Sequence, residues 1–115
     1  MNDANYPWFI LVPDRANITE IFQLDETEQK QLITESSLLS RILADRFNAD
    51  KINIAALGNI VPQLHIHHIA RYTTDATWPA PVWGKLPARP YTDDEKNQVI
   101  NRLQPGLGKS FEYHC

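Results

Sequence analysis

The chain lacks the features that mark secreted, membrane-spanning or nucleic-acid-binding proteins. Cysteine occurs once, at the final position of 115 residues, so no intrachain disulfide can form and a reducing compartment is favoured. No apolar run approaches the roughly 20 residues that cross a bilayer, and no signal peptide pattern opens the chain. Eleven basic and 14 acidic residues leave a net charge of −3, which predicts no basic surface for nucleic acid. We therefore expect a cytoplasmic protein that binds neither membranes nor nucleic acids.

The remaining composition is that of an ordinary small globular protein. Hydrophobic residues make up 43% of the chain and charged residues 22%. No internal repeat or low-complexity tract divides the sequence. The length suits one domain with a small core, so residues 1–115 are predicted to form a single domain.

Three short apolar segments predict the strands of a sheet. They cover Trp8–Val12, Lys51–Leu57 and about Val61–Tyr72. The second and third segments are joined by a short turn at Gly58–Asn59. A parallel crossover would need a dozen or more residues, so the two strands are expected to pair antiparallel.

A long helix is predicted between the first two strands. Asp25 and Glu28 have the spacing of a capping box, and the helix should run to about Phe47. Apolar residues recur along it at helical spacing. These residues form one predicted core stripe: Leu32, Leu39, Ile42, Leu43 and Phe47. Small serines within the stripe would permit close packing against another element.

The last part of the chain, residues 85–115, is predicted to be an extension with one short helix. Thr92 and Glu95 form a second capping box, which begins this helix. The helix should run to about Leu103, because Pro105 and the glycine after it favour termination.

A proline-rich segment, residues 73–90, precedes that helix and is expected to be ordered but irregular. It carries Trp78 and Trp83. We expect both indoles to pack in the core or in an interface. A lid over a bound ligand is the alternative.

Three of the four histidines lie in the segment Gln63–His68, which carries the most chemistry in the chain. Side chains alternate between the two faces of a strand. The segment then divides into Leu64, Ile66 and His68 on a core face, and Gln63, His65 and His67 on the other. The second face should present a row of imidazole and amide groups on one side of the sheet. We expect His68 to be a hydrogen-bonded core histidine.

The spacing of His65 and His67 suits a phosphate or a metal ion. Alternate residues of a strand are roughly 6.5–7 Å apart and point the same way. A neutral imidazole can attack phosphorus and form a covalent intermediate. A His-x-His pair can also bind zinc, but it then needs a third ligand. None is obvious nearby, although His114 or Cys115 could contribute from a distance.

The run Val61–Arg71 resembles the signature of the histidine triad (HIT) family, in which three histidines alternate with hydrophobic residues. Gln63 stands at the first histidine position of this chain. Trp8–Pro13 resembles the strand before the family's long helix, and Trp78–Pro81 resembles a Trp-Pro segment found after the triad in some members. The resemblance spans about Asp3–Gly84.

The resemblance implies an α+β fold, with an antiparallel sheet, one long helix packed on it and a short C-terminal helix. It also implies a homodimer, joined through a continuous sheet or through helices. Members usually have a further hairpin before the first strand seen here, and this chain is expected to lack it. Either Met1 is a late start within a longer reading frame, or the nucleoside pocket of this chain is expected to be more open than that of its relatives.

The resemblance also implies roles for individual residues. His65 matches the nucleophile that forms a nucleotidyl-histidine, and His67 matches the histidine that assists the phosphate and the leaving group. Gln63 can hydrogen-bond a phosphate but cannot carry a proton. The remaining predicted contacts are phosphate binding or orientation by Asn53 and Asn59, and ribose binding by Asp3.

The function that these roles imply is a HIT-like hydrolase or transferase. Its substrates would be nucleoside 5′-phosphate derivatives, either phosphoramidates or dinucleoside polyphosphates. No cofactor is required, although Mg²⁺ could assist with polyphosphates. Gln63 leaves open a second reading, a nucleotide-binding or regulatory protein with weak turnover. A His-x-His metal protein is the third.

Overall fold

Three strands form one antiparallel sheet in the computed structural model, which describes residues 1–109 and 111–112. The strands are β1 (Trp8–Leu11), β2 (Lys51–Ala55) and β3 (Ile66–Arg71), in the spatial order β1-β3-β2. The helices are α1 (Glu26–Phe47) and α2 (Asp93–Leu107), with a short 3-10 turn at Ile21–Gln23. The predicted α+β fold with an antiparallel sheet and a long helix is confirmed. Within the described residues, neither helix combines the length and apolar character needed to cross a bilayer.

The central strand is shorter than predicted, because its neighbours end early. Leu11 of β1 pairs with Ile66, and Ala55 of β2 pairs with His67. In the described part of the chain, no strand lies beside residues 61–65, so the expected start near Val61 is wrong. The predictions for the other two strands, to Val12 and Leu57, also ran one and two residues too far.

Helix α1 forms as its sequence predicts. The Asp25 carboxylate accepts a hydrogen bond from the Glu28 main-chain nitrogen at 2.7 Å. The Glu28 carboxylate accepts one from the Asp25 main-chain nitrogen at 3.0 Å, so the capping box is complete. All five residues of the predicted apolar stripe are buried, in the order Leu32, Leu39, Ile42, Leu43 and Phe47.

Helix α2 begins at the predicted Thr92 cap but continues through Pro105 to Leu107, so its expected end near Leu103 is wrong. Proline costs the helix one main-chain hydrogen bond. Packing against α1 offsets this cost, because Leu103 and Leu107 are buried in the core. Gly106 permits a close approach: a Cβ there would lie 2.9 Å from Ile42 Cγ2.

The two faces of the sheet are covered by different parts of the chain. Helix α1 packs on the face that carries Ile66 and Ala70, where it forms the main core. A second, aromatic cluster covers the opposite face. We call this group the aromatic cluster. It consists of Tyr6, Trp8, Ile69, Val82 and Trp83. His67 lies on that face and is only 6% exposed.

Arg71 fastens the irregular segment, residues 73–90, to the aromatic-cluster face. Its side chain is 1% exposed and forms a salt bridge with Asp75 at 2.8 Å. It also donates to the main-chain oxygen of Ala80 at 2.8 Å. Its guanidinium lies 5.8 Å from the Tyr6 ring centre and 5.6 Å from that of Trp78. The segment that carries Trp83 is therefore held by a buried cation.

Candidate active site

His67 lies at the centre of the sheet and is enclosed by aromatic rings. It pairs with Ile10 of β1 and Ala55 of β2. Trp8 Nε1 donates a hydrogen bond to His67 Nδ1 at 2.9 Å. The Trp83 ring meets the imidazole edge-on, with 5.3 Å between ring centres. The strand positions and two indoles thus determine the orientation of His67.

The hydrogen bond from Trp8 also determines the tautomer of His67. An indole N–H can only donate, so Nδ1 must be the bare, accepting nitrogen of the imidazole. The ring proton of neutral His67 is therefore on Nε2. Burial lowers the pKa of His67, and the nearby charges of His65, the Met1 amino group and His68 lower it further.

His65 lies just before β3 and has the opposite tautomer. Its Nδ1 is 2.7 Å from the main-chain oxygen of Gln63. A carbonyl oxygen only accepts, so Nδ1 carries the proton and Nε2 has a free electron pair. The ring is half-buried, and its centre is 5.0 Å from that of His67. The sheet therefore brings together one bare imidazole nitrogen and one imidazole N–H donor.

Gln63 holds the site through its main chain and its side chain in different ways. Its carbonyl oxygen orients His65. Its side-chain amide donates to the main-chain oxygen of Arg15 at 2.9 Å, and Leu64 N donates to Ile18 O at 2.8 Å. These bonds join the segment before β3 to the loop after β1, and they replace the strand pairing that was expected there.

Asn53 lies on the same face of the sheet as His67, two residues before Ala55, the partner of His67 on β2. Its side-chain oxygen accepts from Arg71 Nη1 at 2.8 Å. Because that oxygen is engaged, only its amide nitrogen is oriented for a ligand. Asn53 also lines a cleft of about 460 Å³, together with Lys51 and Trp83.

The other two predicted contacts lie in different surroundings. Asn59 is exposed in the loop between β2 and β3, next to Gly58, whose φ of +82° makes the turn. Asp3 is 4% exposed, and its Oδ1 accepts from the main-chain nitrogens of Asn5 at 3.0 Å and Arg89 at 3.3 Å. Asp3 therefore joins the first residues to the segment before α2.

His68 occupies the opposite face and is a core residue, as predicted. It is fully buried, and its Nδ1 is 3.1 Å from the oxygen of Ile66, so Nδ1 is the donor. Ser36 of α1 then donates its hydroxyl to Nε2 at 2.7 Å. Both nitrogens are satisfied inside the core. Burial lowers the pKa of His68, although the hydrogen bond to Ile66 raises it in part.

Trp8 is the site residue that the sequence did not reveal as such. It was predicted only as part of a strand. A buried tryptophan usually finds a partner for its N–H, and that was the available signal. The partner itself depends on register, since Trp8 pairs with Ile69 and so faces the same side as His67.

Within residues 1–109 and 111–112, no group of three or more His, Cys, Asp or Glu side chains could hold a metal ion. His114 and Cys115, the predicted distant contributors, lie outside the described residues. The pair His65 and His67 thus has no third ligand in the part of the chain that the structure describes.

Comparisons with known proteins show which family and which solved structures the chain is similar to. Residues 1–74 match the family model described as HIT domain. A histidine triad protein from Marinobacter aquaeolei is 50% identical, with a TM-score of 0.92 over 96% of this chain and 81% of that one. A histidine triad protein from Bradyrhizobium japonicum is 50% identical, with a TM-score of 0.90 over 93% and 80%. One from Sinorhizobium meliloti is 47% identical, with a TM-score of 0.89 over 93% and 79%. No curated protein matches the chain.

Proposed function

Because the chain belongs to the histidine triad family, whose members are in general nucleotide-binding hydrolases or transferases, we propose that it acts on nucleoside 5′-phosphate derivatives. The substrate is a phosphoramidate or a dinucleoside polyphosphate. The reaction passes through a covalent nucleotidyl-histidine at His65.

The observation that carries this proposal is the tautomer of His65. Its Nδ1–H is engaged by Gln63 O at 2.7 Å, which leaves the electron pair on Nε2. No base is needed to activate this nitrogen, because neutral imidazole is already nucleophilic. The main-chain contact also holds the ring in one orientation, which reduces the entropy that attack would otherwise cost.

The proposed reaction has two steps. His65 Nε2 attacks the α-phosphorus in line with the leaving group, so that a P–N bond forms as the bond to the leaving group breaks. Water then attacks the same phosphorus, the electron pair of the P–N bond returns to Nε2, and the water proton passes to solvent. His67 Nε2–H donates a hydrogen bond to a phosphoryl oxygen, where charge develops.

The remaining predicted contacts are part of the proposal. The amide nitrogen of Asn53 and the exposed side chain of Asn59 bind phosphate oxygens, and Gln63 contributes its amide where a ligand displaces Arg15 O. Asp3 binds the ribose only if its contacts to Asn5 and Arg89 open. No cofactor is required; Mg²⁺ assists with polyphosphates by neutralising their charge.

We also propose a homodimer. Within the described residues, β2 pairs only with β3, so its outer edge is available for another strand. Ile54 on this strand is 52% exposed, and Leu57 just beyond it is 48% exposed. Light scattering should give twice the chain mass, and a monomer at assay concentration would refute the dimer. The cytoplasmic location stays a prediction.

A nucleotide-binding protein with weak turnover is the second candidate. The observation that favours it is that two side chains predicted to bind phosphate already have partners within the protein. The Gln63 amide donates to the main-chain oxygen of Arg15, and the Asn53 side-chain oxygen accepts from Arg71. Nucleotide binding by calorimetry without any product would select it.

Intact mass spectrometry tests the principal proposal. Wild-type protein, incubated with adenosine phosphoramidate or diadenosine polyphosphate with and without Mg²⁺, should gain the mass of one nucleotidyl group. His65→Ala should show neither the adduct nor turnover. Wild-type rates in His65→Ala would refute the covalent mechanism.

A further inference from the structure

We infer that Trp8 holds His67 as a neutral hydrogen-bond donor that supplies no proton, so that the site favours substrates whose leaving group departs as a stable anion. This inference rests on the proposed function and narrows its substrate class. Trp8 is then a positioning residue, because it acts through His67 and not on the substrate.

The geometry of the Trp8–His67 pair opposes a second proton on the imidazole. An imidazolium donates from both ring nitrogens, so Nδ1 would have to carry a hydrogen. That atom already accepts the indole N–H at 2.9 Å. Two donors would then face each other in a buried site, and the hydrogen bond would be lost.

The indole is held in place by its own neighbours. Trp8 is 5% exposed. Its ring meets Tyr6 at 6.4 Å and Trp83 at 5.4 Å between ring centres, both edge-on. Rotation of Trp8 away from His67 would open the aromatic cluster. Protonation of His67 therefore carries the cost of disrupting packed rings in addition to a lost hydrogen bond.

Among the residues that the structure describes, no group compensates electrostatically for a charge on His67. The groups whose charges act on it are His65, the Met1 amino group and His68, and all three lower its pKa. No carboxylate is among them. The first triad position is occupied by Gln63, whose amide cannot carry a proton. His67 therefore has no neighbouring charge, within the described residues, that favours its protonated form.

The chemistry of the first step then depends on the leaving group. As His65 Nε2 bonds to phosphorus, the electrons of the breaking bond leave with the departing atom. With no proton supplied, that atom must hold the negative charge by itself. A phosphate oxygen or a carboxylate does so readily, whereas an alkylamine nitrogen does not. Anhydrides, among them dinucleoside polyphosphates, are therefore favoured over alkyl phosphoramidates.

The first experiment determines the form of His67 without any substrate. Nitrogen-15 NMR of protein labelled at histidine distinguishes bare from protonated ring nitrogens. His67 should show a bare Nδ1 and a protonated Nε2 from pH 8 to pH 6. A proton on Nδ1 at pH 7, in either the neutral or the cationic ring, would overturn the inference.

The second experiment measures dependence on the leaving group. Wild-type kcat/KM should be at least about 100-fold higher for diadenosine polyphosphate than for an alkyl phosphoramidate of AMP, because general acid catalysis contributes about 10²–10⁴-fold and is missing here. For aryl esters of AMP, kcat/KM should fall steeply as the pKa of the phenol rises. Equal rates on the anhydride and the phosphoramidate would overturn the inference.

Trp8→Phe removes the indole N–H and keeps an aromatic ring. In this variant His67 should no longer be held in a single tautomer, and it should take up a proton at a higher pH than in wild type. The ratio of kcat/KM for diadenosine polyphosphate to kcat/KM for the phosphoramidate should then fall about tenfold at pH 6, since a general acid contributes about 10²–10⁴-fold. Trp83→Phe is the matched control, because Trp83 contacts the same imidazole edge-on at 5.3 Å. It should change neither the tautomer nor the preference. Identical effects of the two variants would overturn the assignment to the Trp8 N–H.

His67→Gln tests the same point while keeping every side chain of the aromatic cluster. A Gln amide can donate where Nε2–H donated but cannot act as an acid. It should retain more activity than His67→Ala, for which loss of a donor costs about 10²–10³-fold. Equal losses would contradict the role of neutral donor. If wild type forms neither adduct nor product, the proposed function fails, while the NMR result still decides the form of His67.

Discussion

Replacing Asp75 with Asn is expected to lower the stability of the protein by about 2–4 kcal/mol at pH 7, because breaking a buried ion pair leaves an uncompensated charge. The Asp75 side chain is 6% exposed and that of Arg71 1%. Its two oxygens accept from Arg71 at 2.8 and 3.1 Å, and from the main-chain nitrogens of Tyr72, Thr77 and Trp78. Asn keeps one acceptor but removes the charge.

The magnitude follows from the pKa of Asp75. Burial alone would raise this pKa, but hydrogen bonds from Arg71 and from main-chain nitrogens, together with the charge of Arg71, lower it from 3.8 to about 2. A shift of this size corresponds to about 2 kcal/mol. Because the folded pKa lies below the unfolded one, this stability is complete above about pH 4 and is lost as the pH falls toward 2.

Urea unfolding followed by tryptophan fluorescence measures this loss at pH 7, 5 and 3. The difference between wild type and Asp75→Asn should be largest at pH 7 and 5 and smaller at pH 3. Asp45→Asn is the control, because Asp45 is exposed on α1 and makes the same change of charge. It should stay within about 0.5 kcal/mol of wild type. A loss below about 0.5 kcal/mol for Asp75→Asn, or one that does not change with pH, would refute the argument.

Two further changes test the packing around α1. Ser36→Ala should cost about 1–3 kcal/mol in urea unfolding at pH 8, since it leaves His68 Nε2 buried without a donor; a loss near zero would contradict this bond. Wild-type stability should also decrease as the pH falls below about 6.5. The reason is that the pKa of His68 is lowered in the folded protein, so the unfolded chain binds more protons at that pH. A constant urea midpoint from pH 8 to 5 would contradict this. Gly106→Ala should lower the melting temperature, because the added Cβ would lie 2.9 Å from Ile42 Cγ2 and overpack the contact between α1 and α2, at a typical cost of about 1–3 kcal/mol. A gain in stability would show that the higher helix propensity of alanine outweighs this steric cost.

Several local elements were predictable because short-range chemistry decides them. The capping boxes at Asp25 and Thr92 form as predicted, since the two residues of each box lie three positions apart in the chain. The burial of the α1 stripe follows from helical spacing alone. The placement of His67 in a strand followed from the alternating pattern and from the resemblance to the histidine triad family.

Other features were predicted wrongly because they depend on neighbours distant in sequence. The strand at the histidines begins at Ile66, since β1 and β2 end opposite it. Helix α2 passes Pro105, since burial of Leu107 against α1 compensates for the lost hydrogen bond. His67 is flanked by the indoles of Trp8 and Trp83, one from a segment before it and one from a segment after it, which no local pattern shows.

The amino-acid sequence by itself determined which elements form, which helix face is buried and which segment carries the histidines of the candidate site. These depend on spacing and on side-chain chemistry within a few residues. Only the tertiary structure decided the form of His67. His65 and His68 each bond to a carbonyl two residues earlier, whereas His67 accepts from Trp8, 59 residues away. The partner of an imidazole determines which ring nitrogen carries the proton, and for His67 that partner is set by the register of β1 against β3.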